Sequence, residues 1–210
     1  MASVIIHLAI AKELENRRHQ IKNTNDYYLG SIAPDLAKQI GLSREESHFV
    51  RNSFGKNVPN LQYFEAKYPN YRDNDYDLGY FTHLFVDKEW EENFMNNITS
   101  YENPIRLLDG TVIASTPEEI IQLIYSDYTN LNIKVIEEYD LDLSLFYEEF
   151  KVPTTTITET PADKLDVLIN KMGIIIQNSK EEKTYSLDIK QIKEFINNTV
   201  DKLEKELEII

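Results

Sequence analysis

Helix-breaking residues are scarce in this 210-residue chain, which contains only six glycines and seven prolines. Its apolar residues recur mostly at spacings of three and four, which is the period of a helix with one buried face. Near the end of the chain, for example, Ile189, Ile192, Phe195, Ile196 and Val200 follow this spacing. The sequence therefore predicts an all-α protein, a multi-helix bundle.

Several helix starts are marked by capping residues. Ser43-Arg44-Glu45-Glu46 has the capping-box pattern, and Thr116 and Thr160 each precede a proline and first-turn acids. The predicted helices cover residues 3–22, 25–33, 43–53, 60–67, 75–98, 117–139, 161–178 and 187–208. Two β-branched stretches, residues 109–115 and 150–158, are predicted to be either connectors or a short two-stranded pair.

The length suits one domain with a substantial core. All four histidines lie within residues 1–100, whereas the rest of the chain has none and spreads its acids along predicted helix surfaces. We therefore expect residues 1–100 to form a helical core that carries the chemistry. Residues 101–210 are expected to form a helical scaffold or cap packed on that core, within one domain overall.

Charge and composition narrow the possible partners. The formal net charge is -14, from 36 acidic and 22 basic residues, and such a field repels nucleic acids and anionic lipid surfaces. Nucleic acid is therefore not an expected partner. The sequence has no cysteine, so any metal must be bound by histidine and carboxylate side chains.

The first residues raise the question of a targeting segment. The apolar patch "VIIHLAI" has no basic residue before it and is followed after Ala11 by Lys12 and Glu13, unlike a signal peptide. No apolar run is long enough to span a bilayer. A cytoplasmic protein is the expectation.

The stretch "GYFTHLFVDKEW" (79–90) places His83 and Asp87 four residues apart in a predicted helix. Their side chains leave one helix face with Cβ atoms about 6 Å apart. Two ligands on one rigid face lose little freedom when they bind, so this spacing is typical of metal sites. Glu91 extends the stripe, either as a further ligand or as its exposed end.

Three more candidates come from other predicted helices and turns. His7 and His48 lie among apolar residues, and Asp35 follows Ala-Pro, where the proline fixes the backbone. Taken singly, each histidine also fits a hydrogen-bonded core residue, and Asp35 fits an N-cap. Buried together with His83 and Asp87, however, the two carboxylates would be strongly disfavoured without a cation. Three imidazoles and two carboxylates suit zinc, with manganese or iron as alternatives.

The order of these segments resembles the zinc-dependent phospholipase C family, which is related in fold to the single-strand-specific fungal nucleases. The resemblance runs over roughly residues 5–95, through His7, "YYLGSIAPD", "SHF" and "DLGYFTHLFVDKEW". It implies an all-α fold with a metal cluster between the front helices. It also implies that Asp35, His48, His83 and Asp87 bind one ion, and that Asp87 bridges to a second ion held with His7.

The sequence departs from the family pattern in two places. The family binds a third ion through two histidines and a glutamate downstream of the His-x-x-x-Asp helix, but no histidine follows His83 here. The family also uses an N-terminal residue exposed by signal cleavage, and no cleavage is expected here. The resemblance therefore implies a reduced, one- or two-ion site.

Two functions from different classes follow. The first is a metal-dependent hydrolase of a small phosphate ester, in which a metal-activated water attacks and Asp35, or another carboxylate, takes a proton. The alternative is a non-catalytic helical protein with a structural or vestigial metal site, which works through partner binding. Five side chains near the motifs are candidates for pocket lining or for supporting the ligands, with packing as the alternative: Tyr27, Tyr28, Tyr80, Thr82 and Glu91.

Overall fold

A computed structural model describes residues 2–17, 21–51, 58–95, 105–180 and 182–208. His19 and the last residues of the helices predicted at 43–53 and 75–98 lie outside these ranges. The described residues are mostly helical, which confirms the all-α class. Within them, no helix combines the length and the apolar character needed to cross a bilayer.

The helices follow the predicted order, except that the short helix Leu36–Gln39 lies where none is predicted. They are α1 (Val4–Arg17), α2 (Thr24–Ile32), α3 (Leu36–Gln39), α4 (Arg44–Ser47), α5 (Leu61–Lys67), α6 (Asp75–Glu89), α7 (Pro117–Glu138), α8 (Leu165–Asn178) and α9 (Ile189–Glu208). Short 3-10 turns cover Ala33–Asp35, Tyr71–Asp73, Ser144–Phe146 and Ala162–Lys164, and a π-helical segment, Trp90–Met95, continues α6. Strands β1 (Ile105–Arg106) and β2 (Val112–Ile113) pair antiparallel.

The helix predicted at 43–53 is wrong in extent, because α4 ends at Ser47. Phe49 has a left-handed backbone, with φ at 54°, and its buried ring packs edge-on against Phe64 and Tyr80. The gain from burying this ring outweighs the cost of an unusual backbone angle at a non-glycine residue. The chain turns sharply as a result, directly after His48.

The two β-branched stretches behave differently from each other. Residues 109–115 contain β2, whose partner is β1 rather than the second stretch. Residues 150–158 form a connector without strand pairing. Thr155 and Thr156 in this connector donate side-chain hydrogen bonds to Asp77, which satisfies the buried carboxylate at the start of α6.

Helices α2 and α6 touch backbone to backbone where two glycines meet. A Cβ atom on Gly30 would lie 2.0 Å from the carbonyl oxygen of Tyr76, and one on Gly79 would lie 2.1 Å from that of Tyr27. No other residue type fits at this distance. The contact brings α6, with His83 and Asp87, directly against the end of α2.

Both halves of the chain contribute to one hydrophobic core, which extends from Ala2 to Leu207. Helix α1 is apolar on nearly all sides, as expected of a central helix, and it contacts α2, α6, α7 and α9. Trp90 is fully buried and packs edge-on against Tyr128 of α7 and Phe195 of α9. The second half therefore covers the helices that carry the histidines.

Candidate metal centre

Four separate elements bring the five predicted ligands together. His7 projects from α1, His83 and Asp87 from α6, and His48 caps the end of α4. Asp35 ends the 3-10 turn that contains Pro34, and its carboxylate makes no capping hydrogen bond to α3. The N-cap interpretation of Asp35 therefore does not describe its side chain.

Asp87 lies at the centre of this cluster. Its Oδ1 is 3.4 Å from His7 Nε2, while its Oδ2 is 3.6 Å from His48 Nε2 and 3.9 Å from His83 Nε2. Each oxygen of one carboxylate thus faces a different part of the cluster. This is the arrangement that a bridging carboxylate requires.

The remaining distances define two overlapping groups of ligand atoms. His48 Nε2 is 3.3 Å from His83 Nε2 and 3.6 Å from Asp35 Oδ1. One group joins His7, His83 and Asp87, and the other joins Asp35, His48 and His83, each with ligand atoms within 4.8 Å of one another. Zinc–ligand bonds of about 2.0–2.1 Å place two tetrahedral ligand atoms about 3.4 Å apart, so the observed spacing fits an ion of this size.

Hydrogen bonds fix the tautomers of two imidazoles. His83 Nδ1 is 2.9 Å from the carbonyl oxygen of Ser31, which can only accept, so Nδ1 carries the proton. Ser47 Oγ donates to the carbonyl oxygen of Arg44 at 3.2 Å and therefore accepts from His48 Nδ1 at 2.9 Å. In the neutral rings both Nε2 atoms then present lone pairs to each other, which a shared cation would stabilise.

The ionisation states also suit metal ligands. Burial, followed by the charge of His7, lowers the pKa of His83 to about 3, so this ring is neutral at physiological pH. Burial alone would raise the pKa of Asp87, but interactions that include the His7 imidazole beside it hold that pKa well below its ordinary value. Burial likewise opposes ionisation of Asp35, yet His48 beside it leaves its pKa lowered. Metal binding requires these same states, neutral imidazole and charged carboxylate.

Several polar atoms of the cluster are buried without a hydrogen-bond partner among the described residues. They are both ring nitrogens of His7 and Oδ2 of Asp87, in side chains that are 1% and 0% exposed. Most buried polar atoms in folded proteins have a partner, and leaving one without costs about 1–3 kcal/mol. His7 Nε2 lies beside the Asp87 carboxylate, so a cation bound there would satisfy both of these groups.

Further contacts hold the cluster in place. The backbone N–H of Ala2 donates to Asp87 Oδ1 at 3.2 Å, and Arg44 Nη2 lies 3.6 Å from Asp87 Oδ2. The rings of His7 and His83 stack at 3.8 Å with an angle of 7° between their planes. The ligand-bearing side chains are therefore positioned before any ion binds.

The five predicted pocket or supporting side chains differ in burial and in their partners. Tyr27 and Thr82 are fully buried and hydrogen-bond to each other at 3.2 Å between α2 and α6. Tyr80 is also buried and donates to the carbonyl oxygen of Ser47 at 2.6 Å, which steadies the residue before His48. Tyr28 donates to Glu15 of α1 at 2.5 Å, and Glu91 lies half-buried in the π-helical segment.

Sequence reasoning missed three residues that matter here. Ser31 and Ser47 orient His83 and His48, and Arg44 contacts Asp87. Ser47 directly precedes His48, and Arg44 lies four residues before it. Their closeness to His48 in the sequence is a signal that could have identified both residues. The predicted capping pattern includes Arg44 but does not indicate its contact with Asp87.

Comparison with known proteins gives no family. No family model, no curated protein and no solved structure matches this chain. The resemblance to the zinc-dependent phospholipase C family therefore stays a prediction from the sequence motifs.

Proposed function

We propose that the cluster binds one or two divalent ions, most suitably zinc, and that the protein hydrolyses a small phosphate ester. One observation carries the proposal. Two imidazole lone pairs face each other at 3.3 Å beside the Asp87 carboxylate, whose Oδ2 is buried without a hydrogen-bond partner in the described part of the chain. An ion of charge +2 would bind both lone pairs and would also pair with the buried carboxylate oxygen.

We also propose that the chain has the fold of the zinc-dependent phospholipase C family. The residues that the resemblance selects lie within contact of one another although they are distant in sequence. The described residues offer two groups of ligand atoms, both built from this set. This agrees with a reduced site of one or two ions.

The chemistry divides between the ion and the side chains. A bound divalent ion lowers the pKa of a coordinated water toward neutrality and draws charge from phosphoryl oxygens. Asp35 is 16% exposed, against 2% or less for the other four side chains. Solvent therefore reaches the cluster at Asp35, whose ionised carboxylate is placed to accept a proton from an attacking water.

Joint measurement of zinc content and turnover tests the proposal. His83→Ala should lose bound zinc and the hydrolysis of p-nitrophenyl phosphate together, because His83 belongs to both ligand groups. Phe85→Ala is the control, since it truncates another buried ring on the same helix. Full turnover by the His83→Ala protein would refute the proposal.

A structural metal site is the second candidate, and the depth of burial favours it. Four of the five side chains are almost inaccessible to solvent, as in sites that serve only to pin helices together. A structural ion should raise the melting temperature markedly, because binding to the folded state alone adds about 2.7 kcal/mol at one hundred times the Kd. Strong stabilisation by zinc, with no hydrolysis of phosphate mono- or diesters, would favour this candidate.

A further inference from the structure

A positively charged side chain borders the cluster beside Asp87. Arg44 Nη2 lies 3.6 Å from Asp87 Oδ2, and the arginine side chain is 29% exposed while Asp87 is fully buried. The guanidinium group therefore extends from the buried carboxylate to the protein surface. We infer that Arg44 is the anion-binding residue of the metal centre, where it binds a charged oxygen of a phosphate group. This inference rests on the proposed function.

The local structure holds Arg44 in this position. It is the first residue of α4, and Ser43 caps that helix by accepting a hydrogen bond from the backbone N–H of Glu46 at 3.2 Å. Four residues later the same helix ends at His48. Arginine and histidine thus approach Asp87 from one short, rigid element, and the distance between them does not depend on a loop.

Arg44 also interacts electrostatically with a tyrosine of α7. Tyr125 of α7 is 44% exposed. Burial and the negative charge of Glu91 raise the pKa of Tyr125, while the positive charge of Arg44 opposes that rise. Tyr125 therefore lies within electrostatic range of both Arg44 and Glu91.

The charge of the whole chain favours a positively charged side chain beside the site. With a net charge of -14, the protein repels anionic ligands at long range. The planar guanidinium group of arginine matches a phosphate with two parallel hydrogen bonds, which lysine cannot reproduce. Arg44 pairs with Asp87 in the structure, and an ion that neutralises this carboxylate would weaken that pair and favour binding of the phosphate by the guanidinium group.

Calorimetric binding of inorganic phosphate to the zinc-loaded protein tests the inference without measuring activity. We expect Arg44→Gln to raise the Kd for phosphate at least tenfold and Arg44→Lys to recover only part of the loss. Arg51→Gln removes the same charge three residues after His48, where the guanidinium group stacks on the Tyr63 ring at 4.2 Å. This control should bind phosphate as the unmodified protein does.

Zinc content, measured on each variant by elemental mass spectrometry, separates the two proposals. Unchanged zinc content together with weakened phosphate binding in Arg44→Gln supports the role of Arg44. Unchanged zinc content with unchanged phosphate affinity overturns that role and leaves the metal-centre proposal standing. Failure of the unmodified protein to bind zinc overturns both. If Arg44→Gln does not fold, an Arg44→Lys protein with full phosphate affinity still refutes the requirement for a guanidinium group.

Discussion

Replacing Gly79 by alanine should force helices α2 and α6 apart and loosen the metal centre. The added Cβ would lie 2.1 Å from the carbonyl oxygen of Tyr27, 2.8 Å from the backbone nitrogen of Ser31 and 3.0 Å from Gly30 Cα. All three are backbone atoms, so none can move away by changing a rotamer. Contacts of this kind are not seen below 3.0 Å, and the two backbones must therefore separate by about 1 Å.

Two effects of opposite sign determine how much the substitution changes the free energy of unfolding. Alanine favours a helix over glycine by about 0.8–1 kcal/mol, whereas overpacking a tight contact typically costs about 1–3 kcal/mol and sometimes more. Because the clash is with rigid backbone, we expect the upper end of that range, and a net loss of about 2 kcal/mol in the free energy of unfolding. Urea denaturation of the zinc-free protein measures this loss.

The same substitution should weaken zinc binding. Ser31 takes the clash at its nitrogen, and its carbonyl oxygen accepts the hydrogen bond from His83 Nδ1. The control is Gly173→Ala in α8, where the new Cβ would lie 3.2 Å from the nearest backbone oxygen and the stability should change by less than about 1 kcal/mol. A Gly79→Ala protein with unchanged stability and zinc affinity would refute the account of this helix contact.

Two other predictions concern the partner of His48 and the ionisation of His83. Ser47→Ala removes the acceptor of the His48 Nδ1 proton, and loss of such a partner should lower zinc affinity by about 10- to 100-fold, as measured by competition with a chromophoric chelator. The zinc-free protein should lose stability as the pH falls below about 6.5. His83 has a pKa of about 3 in the folded protein and about 6.5 in the unfolded chain, so between these values only the unfolded chain binds the proton. Stability from this group is complete above 6.5, and urea denaturation at pH 7.5 and pH 5 should show the decline, with a smaller decline in His83→Gln.

Most of the helices could be predicted from the sequence, because capping residues and apolar spacing act within a turn or two of the chain. The cap predicted at Thr116 forms, and hydrogen bonds run in both directions between Thr116 and Glu119. The spacing of His83 and Asp87 placed both side chains on one face of α6, where the structure has them. These features depend only on residues within a turn or two of each other.

Long-range packing accounts for what local patterns could not predict. The early end of α4 depends on the aromatic cluster around Phe49, which includes Phe64 and Tyr80 from other helices. The pairing of Arg44 with Asp87 joins residues on two different helices. The convergence of His7 and Asp35 with the α6 pair was expected only from the order of the motifs and from the charge conflict that burial would create.

Metal content tests the central claim most directly. The protein, purified without a His-tag or chelator, is measured by elemental mass spectrometry beside Asp87→Asn and Asp77→Asn, two substitutions that each remove one buried carboxylate from α6. Asp77 is satisfied by Thr155 and Thr156, so its variant should keep the metal. We predict one or two equivalents of zinc, manganese or iron in the unmodified protein and in Asp77→Asn, with loss in Asp87→Asn. A metal-free protein that does not take up added zinc would contradict the account.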